Sequence, residues 1–383
     1  MKKHKYLGFF SLLGLLWLPV AFGKTAAIAP QPAKKSLHIV SYNVENLFDN
    51  EHDNGKNDWE FTPKSTTGKI AACRKIKNAY YRKSCLKSDW HKSRYEIKLE
   101  KIKEALLHNT QTLPDMLALV EIENKSVVQD LAAHLGYHSF HLSKSPDARG
   151  IDVALLYNET KDLKNIGKAE YLVDNDIHFK KKPTRNILEV LFQVAGKYTL
   201  SVFVNHWPSQ SSSGAVRSKT AMVAKEAYLA RLIKNPQHHI LLTGDFNTID
   251  ADHPHPFKTV VTAGEHPLQD VRDLYLATDR VSEEEKKQLP LGTYFYTRNM
   301  VWNNLDRFFV NNRLKDGNGL ELQAPSFKIY TKGITKDFRY DRPGEFHFGS
   351  VITKTPKRYN HRADSLQEAG FSDHFPISVK LSY

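Results

Sequence analysis

Six short apolar runs in this chain each end on, or begin just after, an oxygen- or imidazole-bearing side chain. This pattern constrains the fold more than any other feature. Residues 37–42 run into Asn43 and Glu45, and 116–120 into Glu121 and Glu123. Residues 198–205 end on Asn205 and His206, and 240–243 lead to Asp245 and Asn247. Asp306 stands before 307–310, and Asp373-His374 stands before 377–381. Strand ends that border loops are where a rigid sheet presents side chains to a common cleft. The runs must therefore be strands whose ends meet.

Two further strands are predicted at 153–157 and 187–194. Tyr95, Leu99, Ile102 and Leu106 recur at spacings of four, three and four, which predicts a helix over 89–109 with one buried face. A second helix is expected over 217–234, stopped by Asn235-Pro236, and a third over 125–135. The strands at 187–194 and 198–205 are separated only by Ala195-Gly196-Lys197, which predicts a hairpin. A purely parallel doubly wound sheet has no place for such a hairpin, so a mixed α/β chain is expected.

The residue types at the strand ends restrict the chemistry. Carboxylate and amide oxygens suit Mg²⁺, Mn²⁺ or Ca²⁺ better than zinc. Two histidines beside carboxylates are the usual means of moving a proton near neutral pH. Glu123 and Asn124 are expected to cap the helix that follows, His238, His239, His253 and His255 to lie at the surface, and Trp302 either to stack on a base or sugar or to pack at an edge.

Six motifs occur in order: YNVEN (42–46), LALVEIEN (117–124), VNHWPS (204–209), LLTGDFN (241–247), NNLDRFFV (303–310) and FSDHFPI (371–377). Together they resemble the endonuclease/exonuclease/phosphatase superfamily, which includes deoxyribonuclease I, abasic-site endonucleases, inositol polyphosphate 5-phosphatases and bacterial sphingomyelinases. The resemblance implies a four-layer α/β sandwich of two packed mixed sheets flanked by helices, as one catalytic domain over 37–383. It implies that Glu121 is the principal metal carboxylate, assisted by Asn43 and Glu45, with Asp373 holding either metal or His374. His374 would be the catalytic imidazole, oriented by Asp306. Asp245 and Asn247 would position water and the scissile phosphate, and the sequence leaves open whether His374 or Asp245 is the base. His206 would contact or protonate a phosphate oxygen, with Asp152 as its candidate partner. Arg185 and Asn205 would contact substrate. The implied cofactor is a divalent metal, Mg²⁺ first, with Mn²⁺ and Ca²⁺ as alternatives.

The N-terminus reads as an export signal over 1–23: Lys2, Lys3 and Lys5, then an apolar stretch to Phe22 broken by Pro19, then Ala21-Phe22-Gly23. A polar, Pro-containing linker is expected over 24–36. The apolar stretch is shorter than the roughly 20 residues that span a bilayer, so stable membrane insertion is not expected. A periplasmic or extracellular monomer is. The two cysteines, Cys73 and Cys85, then suggest a disulfide, since an exported chain meets an oxidising compartment.

The formal charge is +13, and it is concentrated. Residues 64–103 hold thirteen Lys/Arg against three acids, which points to an anionic partner or to a solvated face. A nuclease, with DNA favoured, is the leading expectation. A phosphatase or sphingomyelinase-type phospholipase is the second, although the charges of 325–362 around Phe346 and Phe348 make a poor membrane wedge. A non-catalytic polyanion-binding protein is the third.

Overall fold

The alternating apolar residues at 202–204, 240–242 and 308–310 demand a sheet with both faces covered, and the computed structural model supplies one. It describes residues 35–340 and 351–383, together with Met1. The expected export signal beyond Met1, the linker up to residue 34, Phe346 and Phe348 lie outside the described residues. Lys35–Tyr383 make one compact unit.

One sheet contains β1 (Ser36–Leu47), β2 (Met116–Ile122), β3 (Ser139–Leu142), β4 (Asp152–Tyr157), β13 (Glu321–Leu322), β14 (Lys328–Ile329) and β17 (Ile377–Ser382). Its order is β13-β17-β1-β2-β4-β3, with β14 also on β17. The other contains β5 (Leu163–Tyr171), β6 (Ile187–Val194), β7 (Tyr198–His206), β8 (His239–Asp245), β9 (Gln269–Asp270) and β12 (Asp306–Val310). Its order is β5-β6-β7-β8-β12-β9. Two short pairs complete the strands: β10 (Tyr294–Tyr296) with β11 (Val301–Asn303), and β15 (Thr335–Tyr340) with β16 (Val351–Pro356). The helices are α1 (Lys69–Arg74), α2 (Ala79–Lys87), α3 (Lys92–Leu107), α4 (Lys125–Leu135), α5 (Ile177–Lys181), α6 (Gly214–Lys234), α7 (Val271–Ala277) and α8 (Glu283–Gln288).

Both sheets are mixed, because β1–β2 and β7–β8 are parallel while their other neighbours are antiparallel. Successive side chains of a strand face opposite ways, and the second sheet uses this. Val202, Val204, Leu241, Phe308 and Val310 pack toward the first sheet in the main core. Phe203, Ile240, Leu242 and Phe309 pack on the other side, against Ala221, Ala224, Ala227 and Tyr228 of α6. Truncating Phe309 would empty this second core, at a cost of about 3–5 kcal/mol. The α3 face closes the main core as its spacing predicts, with Tyr95, Leu99, Ile102 and Leu106 buried.

Several elements escape sequence reading. β5 (LKNIGKAEY) is half-exposed and polar, so it shows little alternation, yet it pairs along β6. His238 and His239, expected at the surface, are buried. His238 Nε2 meets Ser201 Oγ at 2.8 Å, and His239 Nδ1 meets the Thr199 carbonyl at 3.0 Å. Trp302 packs at an edge: its ring lies 5.1 Å from Phe295 and 6.0 Å from Phe375. Among the described residues no helix is long and apolar enough to cross a membrane.

Candidate active site

Parallel strands deliver their last residues to one edge of a sheet, and antiparallel neighbours deliver their first residues to the same edge. Thus β1 brings Asn43 and Glu45, and β2 brings Glu121. Their neighbour β17 begins just after Asp373-His374. In the second sheet β7 ends on His206 and β8 on Asp245, directly opposite each other. β12 starts at Asp306, paired with Asp245. The sequence pattern and the topology therefore meet at one edge.

Bulges aim the side chains. The β1–β2 register shifts between Asn43 and Leu47, and the β2–β4 register shifts between Val120 and Ile122. At these points Glu45, Asn46 and Glu121 take φ of 55°, 59° and 68°. Left-handed backbone at non-glycine residues costs about 1–3 kcal/mol each and persists where the surroundings over-determine it. Gly244 has the opposite need. A Cβ there would sit 2.0 Å from the Asn205 carbonyl oxygen, so only glycine lets β8 approach β7 beside Asp245.

The resulting constellation is tight and buried. His374 Nδ1–H donates to Asp306 Oδ2 (2.7 Å), while Nε2 lies 3.9 Å from Asp245 Oδ2 and 3.9 Å from Asp373 Oδ1. Asn43 Nδ2 donates to Asp245 Oδ2 (3.0 Å), and Asn247 donates to Asp245 from its backbone (2.8 Å) and its side chain (3.1 Å). His206 Nε2 lies 3.8 Å from Glu121 Oε1 and 3.9 Å from Asp245 Oδ2. Glu121 Oε2 accepts the Asn46 N–H (2.9 Å).

Electrostatics separate the two histidines. Burial disfavours charge on His374, but the Asp306 charge and hydrogen bond, with Asp245 and Asp373 nearby, outweigh it and hold the imidazole well above its ordinary value. His206 is pushed well below by burial and by the Arg185 and Arg149 charges. Burial raises Asp245 to about 7, with the Asp306 and Glu121 charges adding to it and His374 opposing. Burial and the Asp373 charge raise Glu45 to about 7. His374 as an imidazolium and His206 as a neutral imidazole thus both stand 3.9 Å from a carboxylate poised near neutrality.

Not every expected residue presents itself to this cleft. Asn205 is spent inside the fold: its amide donates to the Phe203 and Thr243 carbonyls and its oxygen accepts from Trp207 Nε1. Arg185 is buried and holds the Trp207 carbonyl (2.6 Å) and Asp147 (3.3 Å). No hydrogen bond joins Asp152 to His206. Ser143 Oγ and the Ser145 N–H occupy Asp152 instead, and His206 Nδ1 is buried without a partner. Glu45 has both oxygens engaged, one by Arg358 Nε and one by the Tyr359 N–H (3.0 Å).

Three residues that sequence reasoning missed complete the edge. Arg358 grips Glu45, lies 3.5 Å from Asp373 and keeps an exposed side chain at the mouth of the site. Lys98 is fully buried near Glu45. It donates to the Phe371 carbonyl (3.1 Å) and covers the Tyr359 ring at 4.0 Å. Tyr294 pairs with the His374 backbone and packs its ring 4.9 Å away. Arg358 had no apolar periodicity around it to mark it. Lys98 sits among charged positions of α3, in the basic run that the sequence assigns to an anionic partner or to a solvated face.

The donor set fits a hard divalent cation. Glu121 is partly open to solvent, and its Oε1 accepts no hydrogen bond from the described residues and lies 3.8 Å from His206 Nε2. Oxygen donors of this kind suit Mg²⁺, Mn²⁺ or Ca²⁺.

The family model described as Endonuclease/Exonuclease/phosphatase family matches residues 69–383. No curated relative matches the sequence. Among solved structures, a humanized TDP2 of D. rerio superposes with a TM-score of 0.52 at 14% identity, covering 91% of this chain and 99% of that one. D. rerio TDP2 complexed with single strand DNA product gives 0.51 at 14%, covering 91% and 99%. A functionally unknown conserved protein from Enterococcus faecalis V583 gives 0.51 at 17%, covering 90% and 99%. At these identities the superpositions speak for the fold alone, which is the two-sheet sandwich with flanking helices. With the matched residues spanning most of the chain, the protein belongs to the endonuclease/exonuclease/phosphatase family.

Proposed function

We propose that this protein is an exported, divalent-metal-dependent phosphodiesterase that hydrolyses nucleic acid, DNA in preference to small phosphoesters. The observation that carries this reading is the opposition of His374, held by Asp306, to the buried Asp245 only 3.9 Å away. A phosphodiester is anionic, so its hydrolysis needs both a proton acceptor for water and fixed positive charge for the phosphoryl oxygens. Asp245, raised toward neutrality, takes the proton as the water oxygen attacks phosphorus and the bond to the leaving oxygen breaks. His374 and Arg358 offset the negative charge, and Asn247 and neutral His206 orient water and phosphate. Glu121, with Asn43 and Asp373, would hold a divalent cation, which when bound would supply further positive charge for the leaving oxygen.

Nucleic acid is favoured by the surface beside the site. Helices α1 and α2 are joined by the Cys73–Cys85 disulfide. Ser84 and Ser88 hydrogen-bond Glu60 in the turn Trp59–Phe61, and the Phe61 ring meets His361 at 5.7 Å. His361 in turn lies 4.0 Å from Glu45. Arg74, Lys75, Lys77, Lys83 and Lys87 are exposed on this unit, with Tyr80 at 76% and Tyr81 at 57% exposure among them. Exposed cations interleaved with aromatic rings suit a phosphate backbone with stackable bases. The disulfide itself suits an oxidising compartment.

The test is hydrolysis by the chain from residue 24 onward of plasmid DNA, single-stranded DNA, RNA, sphingomyelin and inositol phosphates, with Mg²⁺, Mn²⁺ or Ca²⁺. Polynucleotide cleavage in preference to the others is expected. Turnover of sphingomyelin or inositol phosphate alone would replace this reading with the phospholipase or phosphatase one.

A further inference from the structure

The loop after β1, DNEHDNGKND (49–58), is rich in oxygen donors and takes no part in the active site described above. We propose that Asp53 and Asp58 of this loop, with Glu123 from the end of β2, form a second cation site, suited to calcium, that is structural and separate from the Glu121 site.

One carboxylate oxygen from each of the three lies within 4.8 Å of the others. Asp58 and Glu123 are buried, at 1% and 2% exposure, and Asp53 is half-buried. Buried carboxylates normally meet a cation or donors that satisfy them. Here they do so only in part. Glu123 Oε2 accepts the Asp49 N–H (2.9 Å), but Oε1 is buried with no hydrogen-bond partner. Among the described residues no lysine or arginine forms an ion pair with any of the three. Lys56, the one lysine of the loop, donates instead to the Asp147 carbonyl (2.9 Å).

The remaining contacts orient the carboxylates without filling the gap. Asp58 accepts from the Asp53 N–H (2.6 Å) and from His52, in the manner of groups that hold a metal ligand in place. Asn124 Nδ2 reaches Asp49 (3.1 Å) and Asp53 (3.3 Å) while its oxygen caps α4 through the Val127 N–H (3.0 Å). Coordination habit favours calcium, which takes oxygen ligands at about 2.3–2.6 Å in flexible geometry, whereas magnesium demands near-octahedral order and is seldom held by an all-protein cage. Oxygens within 4.8 Å of one another can share a calcium ion as they stand.

The site would lock two strand ends together. Glu123 is held by the Asp49 N–H and Glu121 by the Asn46 N–H, so the two carboxylates are tied to the last residues of β1 and the first of the loop after it. A cation bound by Glu123 and the loop would brace the bulges that aim Glu45 and Glu121.

Calcium titration by calorimetry into EDTA-stripped protein, with thermal unfolding at matched calcium, tests this. Glu121→Gln protein should still bind one calcium ion and still gain Tm on calcium addition. Glu123→Gln should lose that binding event and most of the Tm gain. Should Glu123→Gln fail to fold, Asp53→Asn at the half-buried loop position decides, with an expected loss of about tenfold or more in calcium affinity. Calcium binding and stabilisation that vanish in Glu121→Gln but persist unchanged in Glu123→Gln or Asp53→Asn would overturn the proposal. So would an Asp53→Asn protein that keeps full affinity when Glu123→Gln does not fold.

Discussion

The active-site edge and the disulfide-bound unit at α1–α2 hold charge in opposite ways. At the edge, His374, Asp306, Asp245 and Glu45 are buried and each is met by a named partner. On the disulfide unit, Arg74, Lys75, Lys77, Lys83 and Lys87 are exposed and form no ion pair among the described residues. Charges buried at low effective dielectric act strongly over a few ångströms, while exposed charges act weakly and are screened beyond about 8 Å at physiological salt. On the proposed function, the edge would carry out chemistry at one phosphorus and the disulfide-bound helices would hold a long polyanion. Substitutions in the two places should differ in size and in kind.

The largest effect should come from His374→Ala, with a fall in kcat of about 10²–10⁴-fold and little change in KM, because the lost interaction belongs to the transition state. Asp306→Asn should be severe but milder, since the imidazole keeps its place and loses its charge partner. A His374→Ala enzyme within about tenfold of wild type, a barrier change of only ~1.4 kcal/mol, would remove the edge from the comparison.

Next is the disulfide. Replacing Cys73 and Cys85 by serine should cost about 3 kcal/mol in the chain-entropy model and lower Tm by several degrees. Intact mass should show the native chain two hydrogen atoms lighter than its reduced form. Rapid alkylation of both thiols in unreduced protein would refute the bond.

The pH profile sharpens the contrast further. On the proposed mechanism, turnover needs Asp245 ionised and His374 protonated. Asp245 is raised to about 7, so the rate should climb up to about tenfold per pH unit on the acid side of that value. It should fall again on the alkaline side of His374, well above its ordinary 6.5. Higher metal concentration should move the acid limb to lower pH, because positive charge beside Asp245 favours its ionised form. Residual turnover of Asp245→Asn should lack that limb. An acid limb that survives the substitution unchanged would assign it to another group.

The smallest and most diffuse effect belongs to the basic unit. Changing Arg74, Lys75, Lys77 and Lys83 to serine should weaken DNA binding and flatten the log–log salt slope, by roughly 0.9 for each phosphate no longer neutralised. Hydrolysis of a small chromogenic phosphodiester should barely change. Equal loss on both substrates would indicate a folding defect, and an unchanged slope would make these cations a solvated face.

How far the sequence revealed this depends on whether local chain or distant packing decides the outcome. The ends of β1, β2, β7 and β8 are legible because each apolar run stops on its candidate site residue, and Gly244 marks the close approach to Asn205. The bulges at Glu45 and Glu121 were not, because positive φ at glutamate is imposed by neighbouring strands and has no local signature. The thirteen basic residues of 64–103 also read too uniformly. Lys69 donates to the Thr62 carbonyl, Lys98 to the Phe371 carbonyl and Lys101 to Glu104, so these three are buried and structural. Arg82 likewise braces the Ile76 carbonyl (2.8 Å). Arg358 reaches Glu45 from 313 residues away, which no local pattern announces.

Metal dependence of DNA cleavage in wild-type and Glu121→Gln protein tests the central claim most directly. Cleavage should stop in EDTA, return on adding Mg²⁺ or Mn²⁺, and require far higher metal in Glu121→Gln, which keeps the shape of the side chain and loses its charge. Full cleavage in EDTA, or a Glu121→Gln enzyme with the metal requirement of wild type, would contradict it.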